Sequence, residues 1–267
     1  MSSPSLTVLI SRIGEIQPNL SASSAIIIGL LVSVAVVPPW YVLVQPFSTM
    51  AHEGAHALAL WGVGWPVIDV ELQSSGGGGT NFPPGVSFSS DLLVTLVGYL
   101  GPSACGLIAA KLISMKHSVA VLWLALVLLG LLLLQVGSFF SVLVVIMAGA
   151  VVYLSIRYMP VIRETIMAYI IAWFMLLSGV RTILKRGLDS GDGWDLRDLT
   201  GLPRLLWFLF WLAGTGWAPG HRGEASDLTG GRARPVTAGA VTTRRRSLLF
   251  PCDRRSLAGH RHRPRHR

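Results

Sequence analysis

Charged residues are scarce in this chain. They make up 13% of its 267 residues, against 52% hydrophobic, a balance that excludes an ordinary soluble globular domain. Cysteine is nearly missing. Cys105 and Cys252 are the whole supply, which excludes a zinc-finger framework and a disulfide scaffold; Cys105 reads as a small packing residue in a helix. The first 24 residues lack a basic start running into an apolar core, and they lack a small-residue cleavage site. The first apolar run therefore reads as a retained membrane helix, not a signal peptide. No internal repeat is visible, which counts against a transporter built from matched halves. Lysine is absent from residues 218–267, which hold twelve Arg and three acids; the other 217 residues balance ten basic against ten acidic. The net charge of +9 thus belongs wholly to the tail.

Long apolar runs fill the remainder. Ala25–Val44, Leu92–Ile113, Ser118–Val136, Phe139–Ile156 and Ile166–Ile183 are each near the ~20 residues that cross a bilayer. Phe47–Val63 is a sixth run, and Leu202–Trp217 a shorter seventh with interfacial or partial insertion. The expected fold is an all-α polytopic membrane protein of about six transmembrane helices. Residues 1–23 form an N-terminal segment, 24–217 the membrane domain, and 218–267 a basic, disordered tail. Beside a bilayer such a tail pairs with anionic lipid head groups, more readily than with nucleic acid. Its abrupt, lysine-free onset also fits an out-of-frame read. Counting spans puts Lys111, Lys116, Arg157 and Arg163 on one face and Arg12, Arg181, Lys185 and Arg186 on the other. That is four against four, so the positive-inside rule gives no orientation.

Within the sixth run stands His52-Glu53-Gly54-Ala55-His56. Residues i and i+4 share a helix face, so both imidazoles can reach one metal ion, while Glu53 can poise a water without being a ligand. Three ionisable groups are a costly way to build a plain membrane helix, and two of the three His outside the tail lie in this motif. Catalytic zinc takes three protein ligands and leaves a place for water. Candidates for the third are His117, Cys105, Asp91, Glu164, and the four acids Asp189, Asp192, Asp195 and Asp198. Ser190 or Asp192 could instead cap a helix starting near Gly193. After the motif, Val67–Gln73 alternates like a strand and runs into Gly76-Gly-Gly-Gly79 and Thr80, which reads as a β-hairpin. This glycine run lacks the Gly-Lys-Ser/Thr ending and following helix of a phosphate loop. The small residues of Val97–Gly106 suit close packing on the motif helix.

In order along Phe47–Trp211 the chain carries the HExxH helix, a hairpin ending in Gly-Gly-Thr80, the Gly98-Tyr-Leu-Gly-Pro102 stretch, and an Asp followed by Leu199-Thr-Gly-Leu-Pro203 and Trp207. In these parts it resembles the site-2 protease family of intramembrane zinc metallopeptidases, in its compact bacterial branch. There an Asp stands eleven residues before the Pro of Leu-Thr-Gly-x-Pro, which implies Asp192 as third zinc ligand, with Asp189 in reserve. The resemblance implies Zn2+ on His52, His56 and Asp192, Glu53 as general base, and a membrane-protein or peptide substrate. It also implies a multi-pass protein of the bacterial plasma membrane. Two features depart from the family: Gly54 and Ala55 stand in the reverse of its frequent order, and its Asn-Pro-Asp-Gly form is absent. An inactive relative with a structural metal site and a transporter stay as alternatives.

Overall fold

A bilayer offers no hydrogen-bond partners, so apolar runs close their backbone bonds internally as helices. The computed structural model, which describes residues 5–186 and 191–220, follows that rule. In chain order it has α1 (Leu6–Ser11), α2 (Ala22–Ala35), α3 (Tyr41–Gly62), β1 (Asp69–Leu72), β2 (Gly78–Asn81), α4 (Phe88–Ser114), α5 (Ser118–Leu133), α6 (Phe139–Tyr158), α7 (Val161–Arg186), α8 (Asp192–Thr200) and α9 (Arg204–Gly220). This is a mostly helical, membrane-like fold with one small antiparallel sheet after the motif helix. Apolar side chains face outward along α2 and α6, where Leu30, Leu31, Ile146 and Met147 are exposed; lipid is the medium that suits such a surface.

Among the described residues, α4, α6 and α7 are long and apolar enough to cross a membrane alone; α2, α5 and the Arg204–Thr215 part of α9 are shorter apolar helices. The expected first span stops at Ala35 because Pro38 and Pro39 follow, and proline cannot continue a helix ladder. The strand expected over Val67–Gln73 is real but shorter. Val70 is its most buried point, with Leu72 close behind. Val136, in the turn between α5 and α6, bridges Val70 on the side away from β2.

The helix ends are not arranged as the span count has it. Arg12 forms an ion pair with Glu164 at the start of α7, and Gln17 takes the Lys116 carbonyl at 2.8 Å. Arg12 therefore sits on the same face as Lys111, Lys116, Arg157 and Arg163, not opposite them. The hairpin turn folds back along α3. The amide of Gln45 and the hydroxyl of Thr49, both in the first half of α3, donate to the Gly76 carbonyl at 2.7 and 3.0 Å. β2 then leads back past Glu53 to the loop after α3, where Trp65 Nε1 donates to Pro83 O at 3.1 Å, so α4 starts near the end of α3 and runs antiparallel to it.

Close helix contact is written in small residues. A Cβ on Gly106 would meet Leu176 at 2.7 Å, and one on Gly179 would strike Ser103, so α4 and α7 approach backbone to backbone. On the other side of α4, a Cβ on Gly101 would overlap that of Ala55. The small stretch expected to pack on α3 therefore packs on both α3 and α7. It also accounts for the reversed Gly54-Ala55 order: the space is supplied by Gly101 across the contact, while Gly54 has no atom within 4 Å of where its Cβ would be.

Candidate metal centre

The helical spacing of His52 and His56 does what periodicity requires. Their Nε2 atoms lie 3.3 Å apart. The third residue arrives from α8. Leu196 is fully buried against Tyr99, Ile183 and Trp211, and Asp192 stands four residues before it on the same face. Burying Leu196 therefore turns Asp192 inward. Its Oδ2 lies 3.3 Å from His52 Nε2 and 3.4 Å from His56 Nε2. Asp192 begins α8 but does not cap it: Gly191, at φ 64°, is the N-cap and no side chain closes it. The Ser190 cap and the reserve ligand Asp189 lie outside the described residues. At the far end of α8, Gly201 takes the left-handed C-cap at φ 72° and its amide donates to Arg197 O at 2.7 Å, which a glycine permits without strain.

Whether this group fits a metal can be tested on its own geometry. Three donor atoms in a nearly equilateral triangle of 3.3–3.4 Å edges match one face of a zinc tetrahedron, whose edge is about 3.3–3.5 Å for bonds of about 2.0–2.1 Å. His56 Nδ1 lies 2.8 Å from Val94 O; it must carry the proton to donate there, leaving Nε2 a bare lone pair. Buried Asp192 Oδ2 has no hydrogen-bond partner among the described residues despite its closeness to both rings, and His52 Nδ1 has none either. Lone pairs pointed at one another in a buried place are unfavourable unless a cation lies between them. The donor set fits zinc, and the three atoms lie within the span a single ion needs.

The surround is equally specific. Gly98 lies under the group: a Cβ there would sit 2.6 Å from Asp192 Oδ2 and closer still to the His56 ring. The Tyr99 ring meets His52 edge-on at 4.7 Å and Trp211 at 4.5 Å, and Trp211 Nε1 donates to Leu96 O at 2.9 Å. Glu53 is buried and accepts the Thr80 hydroxyl at Oε2, 2.9 Å. Gly78 allows that approach, since a Cβ there would be 2.8 Å from Glu53 Oε1. All of this opens on a polar cavity of about 700 Å3 between α3, the hairpin, α4, α7 and α8.

Of the other ligand candidates, Asp91, Asp195 and Asp198 line the cavity without joining the trio, Glu164 is engaged by Arg12, and Cys105 borders an apolar cavity beside α3. His117 stands at the start of α5. Thr80, Val94 and Trp211 carry no local signal of their role. Gly98 and Tyr99 do show as a small-residue helix stretch, but only the fold reveals that they touch the imidazoles. A protein-family model described as Peptidase M50B-like matches residues 23–218. No curated protein and no solved structure matches the chain.

Proposed function

The chain belongs to the Peptidase M50B-like family, and from that premise we propose that it is a zinc-dependent intramembrane endopeptidase of the bacterial plasma membrane, acting on membrane-protein substrates. The observation that carries this reading is the triangle of His52 Nε2, His56 Nε2 and Asp192 Oδ2 with Glu53 beside it. A zinc ion held by His52, His56 and Asp192 would polarise the scissile carbonyl and lower the pKa of water.

The residues of the chain do the rest. Glu53 accepts a proton from the attacking water and passes it to the departing amine. The Thr80 hydroxyl fixes one carboxylate oxygen of Glu53, leaving the other for that transfer. A substrate helix must first unwind, because its amides are bonded internally. Strand β2 borders the cavity beside Glu53 and can hold the extended segment by edge pairing. The arginines of 218–267 would hold anionic lipid head groups at the bilayer surface.

The test is a comparison of membrane proteins from cells making the wild-type chain or Glu53→Gln. Proteolysis predicts full-length substrates that accumulate only with Glu53→Gln; identical protein sets would defeat it. The hairpin's part is checked separately. Thr80→Val removes one hydrogen bond to a buried carboxylate, worth about 1.5–3 kcal/mol. It should lower kcat about tenfold or more, with KM and zinc content unchanged. An unchanged kcat would leave Thr80 without a role in holding Glu53.

A further inference from the structure

The cavity is charged with opposite sign at its two ends. One end is the last turns of α7, where Arg181, Lys185 and Arg186 line the opening. Arg186 reaches the hairpin turn, donating to Gly76 O at 3.3 Å, and the Arg181 guanidinium lies over the Tyr41 ring at 3.4 Å. The other end is built by Asp91 from the first turn of α4 and by Asp195 and Asp198 from α8. No ion pair joins these six residues to each other or to any other described residue. The acids crowd one another: Asp195 is held above the usual carboxylate range by burial and then by Asp192, Asp91 and Asp198. Three acids and three cations that face one cavity without neutralising each other leave their charge for a ligand.

Strand β2 gives this polarity a direction. It starts beside Gly76, at the cationic end, and runs through Thr80 toward Phe82 and the start of α4, at the acidic end. Antiparallel addition is the more stable pairing per residue, so an added peptide runs from the acidic end to the cationic end. We propose that the site selects substrates by charge order: basic residues on the amino-terminal side of the scissile bond, met by Asp91, Asp195 and Asp198, and acidic residues on the carboxy-terminal side, met by Arg181, Lys185 and Arg186. This rests on the proteolytic reading above and names its substrate class.

Three peptides with one apolar centre test it: Lys-Lys before and Glu-Glu after, the two pairs exchanged, and Gln throughout. Cleavage is measured with the zinc-loaded wild-type protein in a neutral detergent, and binding with zinc-loaded Glu53→Gln. The Lys-first peptide should show a kcat/KM about tenfold above the exchanged one and a matching difference in Kd, the scale of a few partly exposed charge pairs. The gap should close at high salt. In Lys185→Glu/Arg186→Glu the preference on the carboxy-terminal side should reverse to Lys, with zinc content and detergent-soluble yield unchanged. Equal rates and affinities across the peptides overturn the proposal alone, and a preference for the exchanged order overturns its direction and with it the proposal. Charge-selective binding with no cleavage by the wild-type protein would sink proteolysis and leave the charge order standing. Neither selectivity nor cleavage would sink both.

Discussion

Glu53→Gln is expected to leave the protein folded and zinc-loaded while cleavage falls by about 10²- to 10⁴-fold, the range that a positioned general base contributes. The side chain is buried, so the substitution must not leave an orphaned polar group. Gln meets that demand: its carbonyl oxygen can still accept from the Thr80 hydroxyl that now serves Glu53 Oε2 at 2.9 Å. What it cannot do is take a proton from water. None of the three donor atoms of the metal group belongs to Glu53, so zinc content should match the wild type. The measurement is a pair: zinc per chain and initial cleavage rate on one preparation. Full zinc with wild-type cleavage would remove Glu53 from the chemistry; loss of zinc along with activity would make it part of the metal's support.

Gly98→Ala should have an effect of similar size by another route. Alanine is the better helix former by about 0.8–1 kcal/mol, and an overpacked contact costs about 1–3 kcal/mol. The helix itself should therefore persist with a small net change in stability. The added methyl, however, would occupy the space of the His56 ring and lie 2.6 Å from Asp192 Oδ2. His56 has little room to retreat, since its Nδ1 is bonded to Val94 O at 2.8 Å on its own neighbouring helix. Loss of an outer partner of a metal ligand costs about 10- to 100-fold in affinity, and displacing the ligands should exceed that. Zinc titration by competition with a chelator would measure it. Gly54→Ala, where no atom stands within 4 Å, is the matched control and should keep both zinc and activity. Wild-type zinc affinity in Gly98→Ala would mean that Gly98 does not set the space around the ligands.

How much of this was legible in the sequence depends on the reach of each interaction. The His52–His56 pairing is local and periodic, so spacing alone places both imidazoles on one face. The hairpin is also local: alternation in β1, then a glycine turn. Asp192 is different. Its spacing from the motif has no period, and only the resemblance singled it out among four acids. What turns it inward is Leu196 buried against Tyr99, Ile183 and Trp211 from three other helices, a contact with no signature along the chain. The Arg12–Glu164 pair joins residues 152 positions apart, a contact that span counting cannot see, and it puts Arg12 with Lys116 and not opposite it. The reversed Gly54-Ala55 order looked like a departure; its compensation at Gly101 lies on another helix and is visible only in three dimensions.

The central claim is that Asp192 completes a zinc site with His52 and His56. Zinc content per chain, measured by elemental analysis of the purified full chain, tests it most directly. One zinc is expected in the wild type and in Asp189→Ala, and almost none in His56→Ala and Asp192→Ala after the same dialysis. Asp192→Ala that retains one zinc per chain would contradict it.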